Sequence, residues 1–181
     1  MAMDGNMAWV MVLLAVLVLA MGVVGCARGP KVDNSVVPAF ELGRYLGEWH
    51  EIARFDHRFE RGVEAATATY SLRKDGTLEV LNRGVKDGKP TVAKGVGKTT
   101  GAPGLLRVSF FRPFYADYRV LAIDEAYSAA LVGSGGPDYL WILSRTPLLA
   151  PAMKESLLSE AARRGYDTSK LLWIRQENSR P

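Results

Sequence analysis

The stretch Gly47-Glu48-Trp49-His50-Glu51-Ile52-Ala53-Arg54, GEWHEIAR, decides how this chain is read. It has the composition of a strand, with a tryptophan two residues past a glycine, yet its apolar and polar side chains do not separate by parity. If Trp49 faces an interior, period-two alternation turns Glu51, Ala53 and Phe55 inward and His50, Ile52 and Arg54 outward. A solid core does not accept an unpaired carboxylate. A barrel with a polar-lined cavity does, provided that an outer element covers Ile52.

Working outward from that strand, Leu42 to about Arg145 breaks into short segments rich in β-branched and aromatic residues, with Gly, Pro, Asp and Asn between them. Strands are expected near 48–56, 65–73, 77–85, 91–99, 104–111, 117–123, 128–133 and 138–145. Lys74-Asp75-Gly76 and Lys86-Asp87-Gly88 place Asp-Gly turns between them, and Gly101-Ala102-Pro103-Gly104 and Gly133-Ser134-Gly135-Gly136-Pro137 give longer ones. A meander of eight such strands closes most naturally into an up-and-down barrel, which removes exposed edges. One segment has helical period: from Pro151 to Gly165, Met153, Leu157 and Ala161 fall at i, i+4 and i+8 with Leu158 beside them, a stripe expected to pack on the barrel wall. Leu171 to Gln176 reads as one last strand. The expected fold is all-β: an eight-stranded antiparallel up-and-down barrel with one C-terminal α-helix and a final short strand.

At 181 residues the chain suits a single domain. Ala8 to Val24 is almost wholly apolar and runs into Val23-Val24-Gly25-Cys26, which resembles a bacterial lipoprotein signal closing on a lipidated cysteine. Asp4, with no Lys or Arg beside it, departs from the usual leader; an uncleaved anchor is the competing reading, since about 17 apolar residues are the lower edge of a spanning helix. The expected organisation is a signal peptide over 1–25, lipidated Cys26 and a tether over 26–39, the folded domain over 40–177, and a tail over 178–181. Ala27 after the cysteine implies, by the sorting rules of such lipoproteins, an outer-membrane, lipid-anchored location on the periplasmic face. Cys26 is the only cysteine, so no intramolecular disulfide forms. The net charge of +4 is mild and scattered, with no basic stripe suited to nucleic acid.

Three places in the chain resemble the lipocalin family: Gly47-Glu48-Trp49, Asp117-Tyr118 at the start of a strand, and Tyr139-Leu-Trp-Ile-Leu-Ser-Arg145. The segments RFDHRFERG (54–62), VSFFRPFY (108–115) and YLWILSRTP (139–147) are most similar to the bacterial outer-membrane subgroup related to apolipoprotein D. His50 stands where the family has tyrosine. The resemblance implies that Trp49 plugs the closed end with Arg145 across its ring, and that Gly47, Asp117 and Tyr118 are structural.

With Arg145 inward, parity places Leu143, Trp141 and Tyr139 on the inner face. Ala66, Ala68 and Tyr70, then Leu78, Val80 and Asn82, then Leu106, Val108 and Phe110 form the other inward sets. The expected ligand-binding residues are Tyr70, Asn82, Trp141, Tyr139, Phe110, Val108, Phe55, Glu51 and Lys86; the resemblance supports Tyr70, Asn82 and Trp141 and puts Lys86 at the open rim. Apolar walls, small residues and a few polar groups suit a fatty acid or lysophospholipid. No nucleophile elbow, nucleotide loop or metal-ligand cluster is present, so no catalytic residue, cofactor or metal is expected. His50 and His57 are read as surface residues. Two other classes compete with carriage: a lipocalin-fold enzyme acting on an apolar substrate, and a structural envelope lipoprotein with a filled interior. A role in envelope maintenance or stress is implied by the resemblance alone, and no residue pattern selects between monomer and homodimer.

Overall fold

The computed structural model describes residues 31–176; the expected signal peptide, Cys26 and the tail lie outside the described residues. Eight strands follow one another: β1 (Gly47–Arg54), β2 (Val63–Leu72), β3 (Leu78–Lys86), β4 (Lys89–Thr99), β5 (Leu105–Phe111), β6 (Phe114–Ile123), β7 (Ala129–Gly133) and β8 (Leu140–Ser144). Each pairs antiparallel with the next, and β1 pairs with both β2 and β8, which closes the barrel. Two helices flank it: α1 (Leu42–Tyr45), a single turn not expected from the sequence, and α2 (Pro151–Arg163). A 3₁₀ turn (Thr168–Lys170) leads to β9 (Leu172–Trp173), which pairs with β1 at Ala53 and Arg54.

The seam between β1 and β2 is where the structure departs from simple alternation. Pairing between them is confined to residues 47–50 and 67–70, because β1 bulges between Glu51 and Ala53 and β2 between Glu64 and Thr67. One extra residue in a strand reverses the facing of everything after it. The C-terminal segment fills the gap: Ile174 N–H donates to the Ile52 carbonyl at 2.9 Å, Ala65 N–H to that of Arg175 at 2.8 Å, and the Gln176 side-chain amide to that of Glu51 at 2.7 Å. The last strand is therefore a closure element in the seam and not an ornament on the outside.

Two apolar clusters result. The interior holds Trp49, Tyr70, Val80, Val120, Ala130, Val132 and Leu143, with Tyr45 of α1 beneath. The outer cluster joins Ile52, Ala53, Phe55, Leu131, Leu140 and Ile142 to Leu157 and Ala161 of α2. This answers the question of Ile52: the helix stripe and the outer wall cover it, and β7, between the two clusters, is buried on both faces. Pro151 starts α2 at a position that needs no N–H donor, and Gly165, at φ +89°, ends it.

Residues expected to form a free tether are, from Lys31 onward, fastened to this side of the barrel. The Asp33 N–H donates to the Arg164 carbonyl at 2.8 Å and that of Val37 to Val120 at 3.0 Å. The Arg164 guanidinium donates to the carbonyls of Ser35 and Leu121, both at 2.7 Å, and Arg119 to that of Asn34 at 3.2 Å.

At the closed end the Arg145 guanidinium lies 3.8 Å from the Trp49 ring centroid. It also donates to the carbonyls of Glu48 and Arg44, each at 2.7 Å, and of Leu46 at 2.9 Å. Gly47, at φ +96°, brings the chain into that fan, where a side chain would be strained and would crowd Arg145. Asp117 ties the outer face of β5 and β6 by pairing with Arg119 at 2.8 Å and Arg107 at 3.4 Å. Trp49→Ala is expected to lower the free energy of unfolding by about 3–5 kcal/mol, as for other buried aromatics. Arg145→Lys, which keeps charge but loses the planar fork, is expected to cost about 1–3 kcal/mol, both read from urea denaturation.

Candidate functional site

The barrel floor is aromatic and dry. Tyr45, Trp49 and Tyr70 pack with ring centroids 4.8–5.5 Å apart, and the Tyr118 hydroxyl lies 2.6 Å from that of Tyr45 and accepts from that of Tyr70 at 2.9 Å. Burial pushes all three phenols well above their ordinary range, so they stay neutral. Tyr70, expected to touch ligand, thus has its hydroxyl engaged and offers its ring to the floor of the space above.

Above the floor the walls are made of small residues. Register places Ala68, Asn82 and Ala93 side by side across β2, β3 and β4, and Gly97, Val108 and Ala116 across β4, β5 and β6. All these share the face of Trp49, yet Ala93 and Ala116 are solvent-exposed: the upper half of the barrel is open to its mouth. The Phe110 ring lies over Gly95, where a Cβ would meet it at 3.0 Å. Trp141 stands on the inner face of β8, opposite Arg54 of β1. The floor end and mouth end are therefore distinct in chemistry, one filled with aromatic rings and the other walled by alanine and glycine.

The bulge at Ile52 corrects three facings expected from parity, beginning with Ala53, which stands in the outer cluster and not inside. Phe55 stands in the outer cluster, 6.3 Å centroid to centroid from Tyr166, and is not in the cavity. Arg54 is instead turned in and buried, where its guanidinium pairs with Glu51 and donates to the carbonyls of Glu60 at 2.6 Å and Val63 at 3.0 Å. Glu60 reaches the same place from the loop 55–62, its Oε2 accepting from the Trp141 indole N–H at 3.1 Å and lying 3.9 Å from Arg54 Nε. One guanidinium thus serves two buried carboxyls. Burial, then the charge of Glu60, push the Glu51 carboxyl up to about 8 against the pull of Arg54; burial likewise raises Glu60. Both carboxyls are thereby shifted toward their protonated forms.

His57 is a second correction, since it is buried and not a surface residue. At 5% exposure it is stacked among Phe59 (centroids 5.3 Å), Tyr139 and Trp141 (both 4.8 Å), forming a lid on one side of the mouth. Burial first, and Arg54 next, lower its pKa to about 4, so the ring is neutral. Three buried polar atoms here have no hydrogen-bond partner in the protein: Asn82 Oδ1, Arg54 Nε and His57 Nε2. Buried polar atoms are almost always partnered, so an unpartnered set around one space marks where a polar ligand group would be held. Tyr139 sits at the rim, 39% exposed, and Lys86 is exposed there with its stem near Gly62. Parity could not have found Arg54, Glu60 or His57, because the first depends on a bulge and the others on a loop. Two clefts on the outer surface, of about 520 and 440 Å³, flank α2, and neither is lined by Arg54, His57 or Asn82. Among the described residues no cluster of His, Cys, Asp or Glu could hold a metal ion.

The family model described as a lipocalin-like domain matches residues 40–176. The chain is a lipocalin. It is 49% identical over 172 residues to outer membrane lipoprotein Blc of Escherichia coli K12, covering 92% of this chain and 97% of that protein. It is 35% identical to mouse apolipoprotein D over 166 residues, covering 84% and 83% of the two chains. Insecticyanin of the tobacco hornworm shares the fold, with a TM-score of 0.67 at 22% identity over 83% of this chain and 89% of that one. The outer-membrane lipoproteins among these relatives place this lipocalin at the outer membrane, lipid-anchored, as a protein that binds an apolar small molecule. None of these relatives bears the name of an enzyme.

The two titratable groups give stability opposite slopes with pH. The Glu51 carboxyl, raised from 4.5 to about 8, is easier to protonate folded than unfolded, so stability is lost as pH rises through that window. His57, lowered from 6.5 to about 4, costs stability as pH falls across its own window. Glu51→Gln is expected to keep its contact with Arg54 and to level the denaturation midpoint between about pH 6 and 8.5, where the wild type declines. Equal slopes for both proteins would remove Glu51 as the origin.

Proposed function

We propose that this lipocalin holds one single-chain amphiphile, a fatty acid or lysophospholipid, and stores or carries it at the periplasmic face of the outer membrane, lipidated at Cys26. The observation that carries the reading is the contrast within the barrel: inner-face alanines open to solvent above an aromatic floor, with unpartnered polar atoms of Arg54, Asn82 and His57 around the opening. An acyl chain fits against Ala68, the Phe110 ring, Val108 and Ala116, and its head group lies level with the Glu51–Arg54–Glu60 trio and Trp141. Each buried CH₂ contributes about 0.8 kcal/mol, so ten give on the order of 8 kcal/mol before ordering and association costs are subtracted. A filled structural interior does not account for exposed inner-face alanines. Envelope maintenance under stress is the setting in which such carriage would act.

Native mass spectrometry of the domain lacking residues 1–26, with oleate or oleoyl-lysophosphatidylethanolamine added, is the direct test. One equivalent of unaltered lipid is expected on the wild type. Trp141→Ala is expected to weaken binding about tenfold, equal to 1.4 kcal/mol. Ala116→Trp, which fills the cavity, is expected to abolish it while the circular dichroism spectrum is kept. An empty wild type under these conditions, or chemically changed lipid, would move the structural or the enzymatic reading ahead.

A further inference from the structure

We propose that the open mouth of the barrel is a docking face for the surface of an anionic phospholipid bilayer, with Phe59, Phe111 and Phe114 inserted among the lipids. Phe111 and Phe114 are 80% and 79% exposed and form the pair that closes the β5–β6 hairpin; Phe59, at 63%, is carried on the loop between β1 and β2. Both connections lie at the end where β1 and β5 finish and β2 and β6 begin, which is the mouth end. Phenylalanines this exposed, gathered at one end of a molecule whose other large aromatics are mostly packed, mark an interaction surface.

Charge selects the partner. Arg58, Arg61 and Arg112 are exposed on these two connections and Lys86 and Lys89 on the β3–β4 turn at the same end, against Asp56, Asp87 and Asp138. Asp56 is already paired with Arg61 at 2.7 Å, so the cations left over stand beside the phenylalanines. Aromatic side chains at acyl depth with basic residues at head-group depth are what an anionic lipid surface attracts.

The path of the chain supplies an independent argument. Lys31, where the described domain begins, has its carbonyl 3.1 Å from the position a Cβ would take on Gly165. Gly165 lines one outer cleft together with Phe55, Pro137 and Asp138, which stand at the mouth end of β1 and in the β7–β8 connection. From there the segment runs toward the closed end, Val37 bonding Val120 and Phe40 packing near Tyr45. If the lipid anchor is at Cys26, as the proposed function holds, the five residues from Cys26 to Lys31 span at most about 17 Å. A ten-residue strand such as β2 is about 33 Å long. An anchor that short, attached at the mouth end, holds the mouth toward the membrane and the closed end away from it.

The test uses the full acylated chain in phosphatidylcholine vesicles of which a quarter of the lipid is phosphatidylglycerol. Because Cys26 is the only cysteine, Phe114→Cys and, at the closed-end turn, Lys74→Cys can each be labelled with a polarity-sensitive fluorophore. The mass of the N-terminal peptide reports acylation separately, so failure of the anchor and failure of docking are told apart. Quenching of the position-114 probe by doxyl-labelled lipid is expected to exceed that at position 74 several-fold. It is expected to fall when phosphatidylglycerol is omitted, or when Phe59→Ser, Phe111→Ser, Arg58→Glu and Arg112→Glu are introduced. Equal quenching at the two positions on an acylated chain overturns the proposal. So does a probe at 114 that shifts to the blue with protein density but is not reached by lipid quencher, which would assign the face to a second copy of this chain.

Discussion

The closed end of the barrel depends on one cation laid over one ring. Arg145 stacks on Trp49 and at the same time collects the carbonyls of Arg44, Leu46 and Glu48, so a single guanidinium fixes the turn from α1 into β1 and the place where β8 ends. Neither partner could do this alone. Without the indole face the half-buried guanidinium would have only carbonyl dipoles around it, and without the guanidinium those carbonyls would face a ring that cannot donate to them.

Much of this architecture was legible in the sequence because alternation in a barrel is unusually strict. Inward Trp141 and Leu143, the Tyr70–Val80 pair and the strip from Ala68 across Asn82 all fall where parity places them. The failures share a physical origin. Parity counts residues and cannot see an inserted one, and the bulge at Ile52 adds a residue on one strand with no glycine to announce it. Ala53, Arg54 and Phe55 all took the opposite faces as a result. The awkward carboxylate of Glu51 was a real clue to a polar interior, but its partner lay three residues along the same strand, on a face that simple alternation assigns to the outside. Loop residues carry no period at all, so Glu60 and His57 were beyond reach of the same reasoning, although both sit in the segment 54–62 whose resemblance to lipocalins was plain.

The Glu51–Arg54–Glu60 trio shows how a barrel can carry charge inside and still suit an oily ligand. Burial raises both carboxyls, which favours their uncharged forms beside the one cation and lessens the charge that a neighbouring acyl chain meets. A ligand head group that donates or withdraws a hydrogen bond would change which oxygen holds a proton. Ligand choice and proton occupancy are therefore properties of the same three side chains, and Trp141 belongs to both sets, touching the cavity with its ring and Glu60 with its N–H.

The segment from Lys31 to Val37 is bonded to Arg164, Arg119 and Val120 along the wall of the barrel, and only its last residue, Val37, packs against the interior cluster. A lateral tug delivered through the N-terminus as the membrane moves is therefore received by several hydrogen bonds loaded side by side, which must shear together and not peel one at a time. Arg164 passes that pull to the Leu121 carbonyl and to Glu160 of α2, so the strain runs into the helix-covered flank. The opposite wall, where β3 to β5 surround the small inner-face residues, receives none of these hydrogen bonds.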